Sequence, residues 1–272
     1  MTALDDNRLV ATFAELRAQG RSTLLPFLTG GYPDMESTLE LLKDFESRGV
    51  RICEIGFPFS DPIADGATIQ VSYTEALHAG VTPEGIFECV RRYRSGGGKL
   101  ALVAMVSYSI VFRRGPESFL RGARQAGFDG VIVPDLPLEE AAAFEQTAAE
   151  AGVANIMLTA PNSTPQRRRE IARHARGFLY FMSIAGITGE RNELPPATID
   201  AVAELRKEID IPVCVGFGIS SPEMVASVCS AADGAIVGSA IVHRLADQAS
   251  LPREKMVAAV GQFVGELLAP TL

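Results

Sequence analysis

Two carboxylic acids in one short stretch are the first candidates for chemistry. They bracket Glu54-Ile55-Gly56-Phe57-Pro58-Phe59-Ser60-Asp61-Pro62-Ile63-Ala64-Asp65-Gly66. Glu54 lies inside the apolar run Arg51–Gly56, and the period of two places it on one face with Ile52 and Gly56, flanked by Cys53 and Ile55. Its carboxyl group is therefore expected to be buried. Removing a lone carboxylate from water costs several kcal/mol, and the same desolvation raises its pKa until it can serve as a proton donor near neutral pH. A structural ion pair to a basic residue is the other reading of Glu54. Asp65 follows in a Pro- and Gly-rich loop, where aspartate also serves as a turn or cap residue.

Two glycine patterns suggest an anion site. Cys214-Val215-Gly216-Phe217-Gly218-Ile219-Ser220 ends one apolar run, and Val237-Gly238-Ser239-Ala240-Ile241-Val242 ends the next. Glycines let backbone N–H groups approach phosphate oxygens, and a helix N-terminus adds favourable charge without Lys or Arg; ordinary tight turns are the alternative. The segment Ser183–Pro195, containing Ile184 and Ile187, is longer than a minimal turn and reads as a lid, or else as a surface loop. Tyr180, just before it, faces either substrate or core.

These residues need elements to hold them. Short apolar runs occur at Thr23–Leu28, Arg51–Gly56, Leu100–Val106, Gly130–Pro134, Ala154–Leu158, Phe178–Met182, Ile211–Val215 and Ala235–Val237. Dividing the 272 residues among eight runs gives about 34 each, the length of a strand, a helix and two loops. Helices are expected at Met35–Arg48, Pro83–Arg94, Pro116–Ala126, Leu138–Glu150, Pro165–Ala175, Pro196–Ile209, Pro222–Ser230 and Pro252–Leu268, several of them with Pro in the first turn. Leu9, Val10, Phe13 and Leu16 add an N-terminal helix at helical spacing. The pattern predicts an α/β fold, a single (β/α)8 TIM barrel over residues 1–272 with an extra N-terminal helix. An open doubly wound sheet is less consistent, since no G-x-G-x-x-G follows the first run. In such a barrel Glu54 and the two glycine patterns all fall at strand carboxyl ends, where active sites form.

Composition narrows the partners. Net charge is −8, with 25 basic against 33 acidic residues, so a broad polyanion-binding surface is not expected and nucleic acid is excluded as a partner. Apolar runs fall short of the roughly 20 residues of a membrane-spanning helix, and the first residues resemble no signal peptide; the expected location is cytoplasmic. Cys53, Cys89, Cys214 and Cys229 are widely spaced, and with His78, His174 and His243 they form no metal-ligand pattern. No metal or cofactor is expected.

The segment Glu54–Gly66 resembles the E-x-G-x-P-x-S-D-P-x-A-D-G signature of the tryptophan synthase alpha subunit family, the indole-3-glycerol-phosphate lyases. Supporting matches are Pro26–Thr29, Pro134–Glu140, Gly186–Arg191, Gly216–Ser220 and Gly238–Val242, and the likeness runs from about Leu24 to Val264. The resemblance implies retro-aldol cleavage of indole-3-glycerol phosphate to indole and glyceraldehyde 3-phosphate, without a cofactor. It implies Glu54 as the proton-transfer group and Asp65 as the partner of the indole nitrogen. It assigns Gly189, Gly218, Gly238 and Ser239 to the phosphate, Thr188 to orienting Asp65, and Phe27, Tyr180 and Phe217 to the substrate pocket. It further implies a tryptophan synthase beta subunit as partner in an alpha2beta2 complex. Ala67 stands where the family commonly has Pro, and Ser107–Ile110 replaces a stretch usually carrying Tyr and Asn-Pro; both lie near the family's beta-facing surface. The runner-up is a stand-alone lyase releasing free indole for secondary metabolism. A non-catalytic regulatory module, or another phosphate-binding barrel enzyme, is the reading from a different class.

Overall fold

The computed structural model describes residues 4, 6–62, 65–182, 196–216 and 218–272. Eight parallel strands close into a barrel in chain order: β1 (Thr23–Thr29), β2 (Ile52–Gly56), β3 (Ala101–Met105), β4 (Gly130–Ile132), β5 (Ala154–Thr159), β6 (Leu179–Met182), β7 (Val213–Gly216) and β8 (Gly234–Val237). The predicted (β/α)8 architecture is the observed one, and each strand overlaps its predicted run with ends shifted by a residue or two. The strand ends differ because the last ladder bonds depend on neighbours. β4 stops at Ile132, for example, although the apolar run continues to Pro134.

The helices are α1 (Arg8–Ala18), α2 (Met35–Ser47), α3 (Ala67–His78), α4 (Pro83–Ser95), α5 (Tyr108–Arg114), α6 (Pro116–Ala126), α7 (Leu138–Ala151), α8 (Pro165–His174), α9 (Pro196–Glu208), α10 (Pro222–Cys229), α11 (Ser239–Gln248) and α12 (Arg253–Leu268). Three of these, α3, α5 and α11, are additions to the expected set. α3 and α11 start behind Gly66 and Gly238, which offer no capping side chain, so their beginnings carry none of the usual signals. α5 has a capping Ser107 but is only seven residues long, too short for periodicity to register.

The amino-terminal end of the barrel is closed by α1 and by two buried carboxylates. Leu9 packs under Gly130 and Gly177, and Phe13 meets Phe178 with ring centroids 5.6 Å apart. Asn7 caps α1 and also donates to the carbonyls of Asp129 (2.7 Å) and Gly152 (3.1 Å). Asp129 is fully buried and gathers Arg8, Arg94 and Arg124 at 3.0 to 3.3 Å, while its Oδ2 also accepts the Leu102 N–H. Asp233 does the same for Arg17 and Arg206 and accepts the Val213 N–H at 2.8 Å. These groups stabilise the face opposite the mouth, the end of such barrels that serves stability rather than catalysis. Among the described residues no helix is long and apolar enough to cross a membrane.

Candidate active site

Glu54 points into the barrel. In the strand register it stands beside Phe27 of β1 and Val103 of β3, all on the inward face. Its side chain is 1% exposed, and no Lys or Arg reaches it among the described residues, so the ion-pair alternative is set aside. Its Oε1 has no hydrogen-bond partner among the described residues. An unpaired buried carboxyl sheds its charge instead: desolvation raises Glu54 from the usual carboxylate range to about 8.

Asp65 reaches the same mouth from the loop between β2 and α3. That loop is tied down where it starts. The Phe57 N–H donates to the Met105 carbonyl at 2.8 Å, and the Phe57 ring packs among Phe87, Phe119 and Phe128 at centroid distances of 5.7 to 5.8 Å. It is tied again at its end, where Gln70 Nε2 donates to the Asp65 carbonyl at 2.9 Å. Desolvation, with the nearby negative charge of Asp135 adding to it, raises Asp65 to about 6. A cleft joins Asp65 to Phe57, Tyr73, Met105, Ser107 and Asp135. Asp135 is itself held by the Ser107 hydroxyl (2.8 Å) and the Tyr108 N–H (2.7 Å), which fixes the start of α5 against the loop after β4.

Phe27 connects the two sides of the mouth. A methyl group placed on Gly56 would lie 2.4 Å from Phe27 Cζ, and one placed on Gly238 would lie 3.6 Å from Phe27 Cβ. The ring thus spans from the end of β2 to the end of β8. Tyr180 of β6 is 5% exposed, and a methyl on Gly216 would stand 2.0 Å from its Oη, so its hydroxyl lies over the end of β7. Burial raises the Tyr180 phenol well above its ordinary range, and the charges of Glu54 and Asp65 add to that effect. Both carboxyl groups are therefore close to this tyrosine.

The glycine-lined side is open to solvent. Gly218 has φ +78, a left-handed conformation that favours glycine. Gly238 starts α11, and its carbonyl accepts the N–H groups of Ile241 and Val242. The N–H groups of Ser239 and Ala240 belong to the unpaired first turn of that helix, with no side-chain cap. Thr188, Gly189 and Phe217, together with the anticipated lid, lie outside the described residues. Sequence reading did not single out Tyr73, Met105 or Asp135 as site residues. Tyr73 sits on the unanticipated α3, where the buried positions Ile69, Ser72, Tyr73 and Ala76 form a helical stripe that was available as a signal.

A closed parallel barrel whose carboxyl-terminal mouth carries two pKa-shifted acids and exposed helix-terminal amides defines a (β/α)8-barrel enzyme acting on a small molecule. The family model described as tryptophan synthase alpha chain matches residues 13–269. The tryptophan synthase alpha chain of Chloroflexus aggregans is 44% identical over 265 residues, covering 97% of this chain and 98% of its own. A structure of Mycobacterium tuberculosis tryptophan synthase superposes with a TM-score of 0.87 at 34% identity, covering 97% of this chain and 98% of that one. A structure of a mutant tryptophan synthase alpha-subunit from Pyrococcus furiosus superposes with a TM-score of 0.82 at 35% identity, covering 91% and 98%. The chain belongs to the tryptophan synthase alpha chain family, lyases that cleave indole-3-glycerol phosphate.

Proposed function

We propose that Glu54 and Asp65 divide the proton chemistry of this cleavage between them. Breaking the bond from indole C3 to the glycerol chain requires C3 to be protonated, and the departing hydroxyl carbon to lose its O–H proton. Glu54, kept neutral by burial, holds the proton that C3 needs, and its unpaired Oε1 leaves it free to approach the substrate. Once ionised, the same carboxylate takes the hydroxyl proton, so the group is restored within one turnover. Asp65, ionised above about 6, balances the positive charge that C3 protonation places on the indole nitrogen. The ring is its own electron sink, so no cofactor enters the scheme.

Phosphate is assigned to the opposite rim. The first-turn amides of α11 at Ser239, with Gly238 and Gly218, supply donors and a helix dipole where no cation is needed. Gly189 completes that set, and Thr188 orients Asp65. Phe27 and Tyr180 form walls between phosphate and acids, and the family resemblance adds Phe217 to them. A tryptophan synthase beta subunit is the partner, as the family implies, and the cytoplasm is the compartment. The observation that carries this reading is Glu54, a deeply buried, unpaired carboxyl beside an acid of lower pKa in one barrel mouth. The test is indole release from indole-3-glycerol phosphate by the purified chain and by Glu54→Gln. Parent activity with an inactive variant supports the assignment; equal rates reject it.

A further inference from the structure

The cleft beside Asp65 has an unbalanced inventory of polar groups. Asp61, Asp65 and Asp135 supply three carboxyl groups to its lining, and among the described residues no Lys, Arg or His lines it. Two of the three already have donors: Asp61 accepts the Ser60 hydroxyl at 2.6 Å, and Asp135 accepts from Ser107 and Tyr108. Asp65 has no side-chain hydrogen bond among the described residues, so none of these holds its charged form. On the donor side, Ser107 and Tyr73 are the lining residues with a side-chain O–H. Ser107 is engaged with Asp135. Tyr73 has no hydrogen-bond partner among the described residues, and its side chain is only 3% exposed. Among the described residues, one carboxyl without a donor and one donor without an acceptor thus share one cleft.

The placement of Tyr73 is built in from two directions. The adjacent Ser72 bonds the Thr29 hydroxyl at 2.7 Å and the Ile69 carbonyl at 2.7 Å, pinning α3 to the end of β1. The Tyr73 hydroxyl then stands over Gly56, where a methyl group would lie 2.5 Å from it. Gly56 is two residues beyond Glu54 on the same face of β2, about 7 Å along the strand. The phenol therefore lies near the end of β2 in the cleft that Asp65 lines, and the charges of Asp65 and Glu54 oppose its ionisation in addition to its burial. It remains a neutral donor throughout the pH range of the reaction.

We propose that Tyr73 is a positioning residue for the cleavage, its phenolic O–H donating to the Asp65 carboxylate when substrate fills the cleft and so holding that carboxylate against the indole N–H. This rests on the assignment of Asp65 to the ring nitrogen. A neutral donor suits this role because it stabilises the charged form of Asp65 without itself competing for the proton. Among the described residues, the other ionisable groups near Asp65 are Asp61 on its own loop, Asp135 after β4, Glu54 on β2 and Tyr180 on β6. None of them is a cation, so the phenol acts against a background that otherwise disfavours ionisation.

The experiment compares the parent chain, Tyr73→Phe, Asp65→Asn and the double variant, with Glu54→Gln as control, in indole release from indole-3-glycerol phosphate across pH. Tyr73→Phe is expected to lower kcat about tenfold, the worth of one hydrogen bond to a charge, with KM changed less than about twofold. The acid limb of its pH profile is expected to move upward. In the Asp65→Asn background, removing the hydroxyl is expected to change kcat by less than about twofold, since the two act as a unit. Parent kcat and an unmoved acid limb in Tyr73→Phe, with Glu54→Gln inactive, overturn the proposal and leave the Glu54 assignment standing. Full multiplicative losses in the double variant also overturn it. Activity of Asp65→Asn equal to the parent instead removes the reading on which the proposal rests.

Discussion

Phe27 and Glu54 are register partners on adjacent strands, and the aromatic ring of the first lies along the same barrel mouth into which the carboxyl of the second is buried. With Phe27 on one side and Val103 on the other, nothing among the described residues offsets the charge of Glu54, which is why desolvation dominates its titration. The reaction then needs opposite states of two acids at one pH: a protonated Glu54 and an ionised Asp65.

That requirement sets the pH profile. Asp65 loses its charge as pH falls through about 6, and Glu54 loses its proton as pH rises through about 8. A plot of kcat/KM for indole release is expected to be bell-shaped between those limits. A profile flat from about pH 5 to 9 would contradict the division of roles.

Asp135 raises Asp65 by its charge, second only to burial. Asp135→Asn removes that charge while keeping an oxygen for the Tyr108 N–H. The acid limb is expected to shift to lower pH, read from the same rate profile. Asp65→Asn itself removes the charge and is expected to reduce kcat about 100-fold with a modest change in affinity for glycerol 3-phosphate, measured by titration calorimetry.

At the opposite rim, a methyl at Gly238 meets Phe27 at 3.6 Å, an ordinary contact. Gly238→Ala is expected to melt within about 2 °C of the parent, since its new methyl creates no close contact. Its affinity for glycerol 3-phosphate is expected to fall if the α11 terminus holds the phosphate; unchanged affinity argues against that assignment. Gly218→Val adds strain of its own, because φ +78 disfavours a branched residue.

The far face of the barrel predicts a stability effect without a chemical one. Asp233→Ala leaves Arg17 and Arg206 without their carboxylate and strips the Val213 N–H of its acceptor. Both arginines are partly solvated, so the expected loss is about 2–4 kcal/mol in urea denaturation, below the cost of breaking a fully buried pair. The kcat of the folded fraction is expected to stay at the parent value.

The strands were legible because both faces of a parallel sheet are buried, and each therefore reads as an apolar run. Glu54 was legible for the same reason, as a charge interrupting such a run. The fold shows what burial does to it, since the absence of a nearby cation among the described residues is a three-dimensional fact. The stripe that carries Tyr73 was readable although α3 begins at an uncapped glycine, but its role was hidden, because the hydroxyl meets Asp65's cleft only after Ser72 fixes the helix to β1. Asp135 stood in a recognised motif, but its effect on Asp65 crosses from the β4 loop to the β2 loop, a separation that no local spacing encodes.

The most direct test is the protonation state of Glu54 in the folded chain, followed by difference infrared spectroscopy of the carboxyl C=O stretch from about pH 4 to 10, with Glu54→Gln as the subtraction. A carboxylic acid band that persists through neutral pH, disappears near about pH 8 and is missing from the variant is the predicted result. Loss of that band near pH 4.5, the behaviour of a solvated glutamate, would contradict the account at its root.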